Sequence, residues 1–84
     1  MESAPDITVF PNSAEDIVNI VVPKEFNHPI LKVYNIQGQV VYQTETTIKG
    51  SHEMTINFLD EGTYFVKVTD RERQIFSTAK FIKK

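Results

Sequence analysis

Residues 62–68 constrain the fold of this chain more than any other segment. A glycine opens the segment, and the large apolar residues Tyr64, Val66 and Val68 follow at every second position. Because successive side chains of a strand point to opposite faces, this alternation predicts a half-buried β-strand that begins at a turn. The apolar spacing of three and four residues that marks an amphipathic helix is nearly absent from the chain. The segment therefore predicts an all-β protein.

Short runs of β-branched and aromatic residues recur along the whole chain, each bounded by Gly, Pro, Asn or Asp. The runs predict strands at residues 7–10, 17–22, 30–35, 40–46, 53–57, 63–69 and 74–82. The side chains predicted to point inward are those of Val18, Ile20, Val22, Leu31, Val33, Met54 and Ile56. Strands of this length and spacing predict an Ig-like antiparallel β-sandwich of about seven strands, with a small barrel as the alternative.

Turn signals separate the predicted strands. Pro11 ends the first strand because it lacks a backbone donor. Residues 36–39 are predicted to form a hairpin turn in which Gly38 takes a positive φ. Residues 47–51 are predicted to form a polar connection, and residues 70–73 a charged hairpin tip. Residues 14–16 could form a single helical turn.

Length and charge exclude several classes of protein. The chain has 84 residues, which is one domain at most, and it has no cysteine for disulfides. A net charge of −2 argues against nucleic acid as a partner. No apolar run is long enough to cross a bilayer.

The N-terminal residues are predicted to lie outside the domain. Residues 1–5 contain no apolar stretch of the kind found in a signal peptide, so an exported chain would need its signal elsewhere in a longer precursor. We expect residues 1–6 to be a linker, a cleavage region or a start introduced for expression. The domain proper is then residues 7–84.

The sequence contains no pattern of residues that predicts a catalytic site. His28 and His52 fall in or beside separate loops without a second ligand at metal-binding spacing, so we expect both to be solvated loop residues. A calcium site built from Asp60, Glu61 and Asp70 is an alternative, although the dense acidic pattern of calcium loops is missing. We predict no enzyme activity, no cofactor and no bound metal.

The aromatic residues exceed what one small core can hold, since the chain has six Phe and three Tyr. Tyr64 and Phe65 are neighbours on one strand, so one of them should face outward. An exposed Tyr34, Phe65 or Phe76 could form a docking patch or a carbohydrate platform. Partial coverage by lysine stems is the alternative.

Four motifs resemble those of type A C-terminal sorting domains, which belong to proteins exported by the type IX secretion system of Bacteroidetes. Residues 10–12 with 16–20 are similar to the opening motif of that family, and residues 33–41 to its central motif. Residues 59–68 resemble the third motif, and residues 80–84 the basic C-terminal end. The order and spacing fit nearly the whole chain. Two departures are Ser13, where the family usually has a second proline, and Glu61, where it has a small residue.

The resemblance implies a secretion and sorting signal at the end of a longer cargo protein. Such a domain would fold in the periplasm, be recognised by the outer-membrane translocon and its shuttle proteins, and reach the cell surface or the extracellular space. A cell-surface sortase-like peptidase would then remove it near Ala4, Pro5 and Asp6.

The motif residues divide into two predicted roles. A mainly structural role is predicted for Pro11, Asn12, Gly38, Gly62, Tyr64, Val66 and Val68, with Gly62 providing a turn that a side chain would block. A strand end rich in lysine should add little to the core, so we predict a recognition signal formed by Lys80, Phe81, Ile82, Lys83 and Lys84. Protection of an edge strand from aggregation is the alternative explanation of the lysines.

Three other hypotheses compete with or extend this one. The chain could be an Ig-like adhesion or carbohydrate-binding module, or a structural appendage of an enzyme. Two copies could also exchange the last strand and form a homodimer.

Overall fold

Residues 6–45, 50–70, 72 and 74–84 are described by a computed structural model. They form eight strands and no helix, so the all-β prediction is confirmed. The strands are β1 (Thr8–Phe10), β2 (Ser13–Ala14), β3 (Ile17–Val22), β4 (Pro29–Asn35), β5 (Val40–Glu45), β6 (Gly50–Thr55), β7 (Gly62–Asp70) and β8 (Ile75–Lys83). A helix able to cross a membrane is not found in these ranges.

The strands pack as two sheets, which confirms the predicted Ig-like sandwich. One sheet has the order β1-β3-β6, and the other has the order β2-β8-β7-β4-β5. All pairings are antiparallel except that of β2 with β8, which is parallel. The chain passes from the first sheet to the second at residues 11–12, and the Phe10–Pro11 peptide bond is cis. This passage places an early segment of the chain beside its last strand.

The core is built from the alternating residues that the sequence marks as inward. All seven predicted inward-facing side chains are at most 2% exposed. On β7 the alternation is clear, because Tyr64 is 6% exposed while Phe65 is 40% exposed. Full burial of one large aliphatic or aromatic side chain stabilises the fold by about 1.5–3 kcal/mol. The alternation therefore fixes which face of each strand joins the core.

Strand β2 is absent from the prediction, and the helical turn predicted at residues 14–16 is wrong. Residues 12–14 lie alongside the end of β8 and exchange backbone hydrogen bonds with it. Two residues are too few to show a periodic pattern, so their conformation is decided by that tertiary pairing.

Strand ends differ from the prediction by one to three residues. β4 begins at Pro29, β7 spans one more residue at each end than predicted, and β8 ends at Lys83. β6 lies at Gly50–Thr55, so the polar connection predicted at residues 47–51 is wrong for its last two residues. The rest of that connection and two arginines of the predicted hairpin tip lie outside the described residues.

A buried hydrogen bond joins the two sheets near β1. The backbone N–H of Ile7 donates to Oγ of Ser77 at 3.0 Å, and both residues are buried. Ile7 directly precedes β1 of the first sheet, whereas Ser77 lies on β8 of the second. Because an unpaired buried N–H is costly, this bond secures the entry of the chain into the sandwich.

Candidate functional site

The end of β8 is held by hydrogen-bonded neighbours on both sides. On one side, Ile82 pairs with Thr63 of β7; on the other, it pairs with Ser13 of β2. The N–H of Ile82 donates to the carbonyl oxygen of Asn12 at 2.8 Å, and the N–H of Lys84 donates to that of Ala14 at 2.9 Å. The first and last motifs of the sequence are therefore joined through their backbones.

Phe81 occupies the core beneath this strand end. Its side chain is 0% exposed, and its ring stacks on that of Tyr64 with centroids 5.6 Å apart. The expectation that the C-terminal residues add little to the core is therefore wrong. Lysines dominate this end of the sequence, but the alternation of side chains along the strand turns Phe81 inward.

The other side chains at this end point to solvent or lie near the rim of the sandwich. Lys80 and Lys84 are exposed, and Ile82 is 44% exposed. Lys83 is half-buried, and its Nζ donates to the carbonyl oxygen of Lys84 at 2.9 Å. Cationic and apolar groups are thus presented on a backbone whose position is fixed.

Tyr64 closes the turn that leads into β7. Its hydroxyl donates to the carbonyl oxygen of Asp60 at 2.7 Å, the arrangement known as a tyrosine corner in Ig-like folds. Gly62, between them, has a φ of +151°, and a Cβ built there would meet no atom within 4 Å. Gly62 is therefore required by its backbone conformation and not by lack of space. This corrects the expectation that a side chain at this position would block the turn.

Asn35 organises the hairpin between β4 and β5. Its Oδ1 accepts the backbone N–H of Gln37 at 2.9 Å and that of Gln39 at 3.0 Å. Its own carbonyl accepts the N–H of Gly38, which has the predicted positive φ, at +84°. Sequence reasoning assigned this turn to the glycine alone, although an Asn that precedes a turn commonly caps its N–H groups.

Comparison with known families identifies the chain. A family model described as a secretion system C-terminal sorting domain matches residues 8–84. The chain belongs to this family. Comparisons with curated proteins and with solved structures give no match.

The resemblance stated from the motifs is thereby confirmed. The domain is a C-terminal sorting signal for type IX secretion, which implies that it interacts with the secretion machinery and is exported to the cell surface or the extracellular space. The family is one of sorting signals rather than of known catalysts.

Most motif residues of the sorting domain build its five-stranded sheet. Val66 and Val68 are fully buried on β7, and the turn at Gly38 joins β4 to β5. Pro11 and Asn12 are exposed, and the structural contribution of Asn12 comes from its carbonyl oxygen. The predicted structural and recognition roles of the individual residues stay predictions.

The predicted processing region lies at the border of the described residues. Ala4 and Pro5 fall outside them, whereas Asp6 is exposed and directly precedes the buried Ile7. Cleavage there stays a prediction.

The two histidines of the sorting domain have different surroundings. His28 is an exposed loop residue whose Nδ1 lies 3.4 Å from Oε2 of Glu72, as expected for a solvated histidine. His52 instead lies on β6 and is half-buried, and its Nε2 has no hydrogen-bond partner among the described residues. The loop prediction is therefore wrong for His52, because β6 begins earlier than its polar sequence indicates.

The carboxylates proposed for calcium are too far apart to share an ion. Asp60 and Glu61 precede β7 and Asp70 ends it, so the length of the strand, roughly 27 Å at about 3.4 Å per residue, separates them. The described residues contain no group of three or more His, Cys, Asp or Glu able to hold a metal.

Asp70 is a structural residue that sequence reasoning missed. It is 0% exposed, and its carboxylate accepts the backbone N–H of Asn27 at 2.6 Å and that of Glu72 at 3.0 Å. The carboxylate thus ties the loop before β4 to the hairpin after β7. Its position beside charged residues predicted a solvated tip, and only the fold shows that it turns inward.

Proposed function

We propose that the secretion machinery recognises this sorting domain at the end of β8 while the domain is attached to the C-terminal side of a larger cargo. The recognised groups are those of Lys80, Ile82, Lys83 and Lys84, and Phe81 supports them from the core. The observation that carries the proposal is the pairing of this strand end with both β7 and β2, which gives the cationic side chains one fixed backbone.

A preformed strand end favours binding for two physical reasons. Little conformational entropy is lost on association, because the backbone is already in its bound shape. Solvent-exposed lysines also increase the rate of encounter with an acidic partner. We identify that partner as the outer-membrane translocon with its shuttle proteins, reached after the domain has folded in the periplasm.

Removal of the domain would follow at its N-terminal border. The exposed Asp6 lies directly before the buried Ile7, so the chain that comes from the cargo enters the folded structure there. We propose that a sortase-like peptidase of the cell surface cuts near Ala4, Pro5 and Asp6. Mass spectrometry of the released domain would give the cut position.

The test uses a fluorescent passenger that carries an inner-membrane export signal and is fused to residues 4–84 in a type IX-competent bacterium. Deletion of residues 80–84 would remove Phe81 from the core, so substitutions are preferable. The test variant combines Lys80→Gln, Lys83→Gln and Lys84→Gln. Lys24→Gln, at an exposed loop position, is the control for loss of a surface lysine elsewhere in the domain.

We expect the parent fusion and the Lys24→Gln control to reach the cell surface, and the triple variant to remain in the periplasm. Circular dichroism of each purified domain checks that the fold is retained. Normal delivery of the triple variant would show that recognition lies elsewhere, and periplasmic retention of the parent would contradict sorting by this chain.

The strand-exchanged homodimer stays a prediction. In the structure β8 pairs with segments of its own chain. Light scattering at high concentration distinguishes a monomer from a dimer.

A further inference from the structure

The outward face of the five-stranded sheet aligns basic and aromatic side chains across neighbouring strands. Lys80 of β8 lies directly opposite Phe65 of β7, which lies directly opposite Tyr34 of β4. These residues alternate with buried neighbours, so they share the face that points away from the core. The row begins at the proposed recognition end and crosses the sheet.

Two further lysines face each other in the next row. Lys32 of β4 lies directly opposite Lys67 of β7. Like charges in this arrangement repel, which destabilises the sheet. In the described part of the chain, neither of them nor Lys80 forms an ion pair with a carboxylate. Since no described carboxylate offsets this repulsion, the two lysines do not stabilise the sheet, which favours a role in binding.

Acidic and aromatic neighbours do not neutralise these lysines. The carboxylate on the described strands of this face is that of Glu45, which lies on the edge strand β5 opposite Ile30. Lys67 Nζ lies 4.8 Å from the centroid of the Phe76 ring, which leaves its positive charge in place. The face is therefore positive, although the whole chain carries a net charge of −2.

Apolar side chains are concentrated on the same face. Of the eight large hydrophobic residues that are exposed in the described structure, four lie here: Val40, Phe65, Phe76 and Ile82. The outward face of the three-stranded sheet carries two of them, Phe10 and Ile17, together with Glu53, and the described residues of its strands include no lysine. Clustered exposed apolar residues with a polar surround are typical of an interaction surface.

We propose that this Lys–aromatic face, formed by Lys32, Tyr34, Phe65, Lys67, Phe76 and Lys80, docks on an acidic, partly apolar surface of a protein of the secretion machinery. The proposal rests on the proposed function and extends the recognised region from the end of β8 to β7 and β4. Carboxylates of the partner would lie between Lys32 and Lys67 and relieve their repulsion. Its apolar groups would cover Phe65 and Phe76.

The positive charge of the Lys–aromatic face favours an acidic protein over a second copy of the chain as its binding partner. A second copy of the chain would bring the same lysines against each other, and a two-fold interface must be complementary to itself. An acidic protein surface is complementary, and the face is continuous with a strand end that is proposed to contact the machinery already. Such an interface should weaken as the salt concentration rises.

The first experiment maps contacts of the full fusion in type IX-competent cells. p-Benzoylphenylalanine replaces Phe65 in one variant and Ile17 in the control, residues with matched exposures of 40% and 41% on opposite faces of the sandwich. We expect a light-dependent adduct with a protein of the machinery from position 65 and none from position 17. Absence of the adduct at position 65, or equal adducts at both positions, would overturn the proposal.

The second experiment separates stability from recognition. Lys32→Glu places a carboxylate opposite Lys67, so the melting temperature should not fall, whereas surface delivery should fall by about tenfold or more if the face is a binding hot spot. Lys24→Glu makes the same change of charge on an exposed loop and should leave delivery unchanged.

The outcomes distinguish this inference from the proposed function. Delivery of the parent fusion together with full delivery of Lys32→Glu would overturn the docking face alone. Retention of the parent in the periplasm would overturn both. Flotation of the domain with phosphatidylglycerol vesicles, without a protein adduct at position 65, would assign the face to a membrane surface and overturn the protein partner.

Discussion

The ring of Tyr64 stacks on the ring of Phe81, with an angle of 19° between their planes. The two residues are also direct register partners on β7 and β8. One belongs to the third sorting motif and the other to the basic end of the chain, so two segments that mark the family meet in one core contact. Loss of either ring should therefore affect the strand end that we propose as the signal.

Phe81→Ala should destabilise the domain by about 3–5 kcal/mol, because it removes a fully buried ring and leaves a cavity. A small domain has a total stability of about 5–10 kcal/mol, so roughly half of it would be lost. Urea unfolding followed by circular dichroism measures the change. Ile82→Ala, at a neighbouring and 44% exposed position, is the control and should have a much smaller effect. Equal losses would contradict the placement of Phe81.

Tyr64→Phe should cost about 0.5–1.5 kcal/mol, since it removes the hydrogen bond to the carbonyl of Asp60 but keeps the stacked ring. The same change at Tyr42 is the control, because that side chain is half-buried and its hydroxyl has no hydrogen bond among the described residues. Thermal unfolding of both variants gives the comparison. A Tyr64→Phe domain as stable as the parent would show that the corner contributes nothing.

Gly38→Ala should destabilise the domain by about 1–2 kcal/mol, because its φ of +84° is unfavourable for a residue with a Cβ. The substitution meets no steric obstacle, since no atom lies within 4 Å of the added carbon. Gln37→Ala in the same turn keeps the backbone N–H that bonds to Asn35 and should be nearly neutral. Differential scanning calorimetry can separate the two, and a neutral Gly38→Ala would argue against backbone strain.

Asp70→Asn should cost about 1–3 kcal/mol, because an amide cannot accept the N–H groups of both Asn27 and Glu72 as the carboxylate does. Hydrogen exchange of the Asn27 amide should also become faster. Asp60→Asn is the matched control, since that side chain is exposed. If both substitutions had the same small effect, the carboxylate of Asp70 would not hold the loop.

The sequence predicts the sandwich well because alternation is a local property. The inward faces of β3 and β4 and the outward position of Phe65 follow from which residues share parity along a strand. Sheet pairing brings residues together that are distant in sequence, and no local pattern in the sequence predicts which residues pair. The opposition of Lys32 and Lys67 depends on the register between β4 and β7, which no short segment encodes.

Other features could not be predicted because tertiary contacts override local chemistry. The residues around Asp70 have the composition of a solvated turn, but the backbone N–H groups of two separate segments donate to its carboxylate. Phe81 is a different case, because its burial follows from the alternation along β8 and could have been predicted if the neighbouring lysines had not suggested a solvated end. The short β2 exists because β8 offers it hydrogen-bond partners.

The pairing of β2 with β8 connects residues near the two ends of the domain, so it cannot form until nearly all of the chain is present. Contacts of such long sequence separation form slowly, because a large loop must close before they are made. A chain that stops before β8 would lack the partner of Asn12 and the ring that covers Tyr64. The strand end that we propose as the signal therefore forms only when β8 is present and paired with β2, so its recognition would select for domains that have completed their fold.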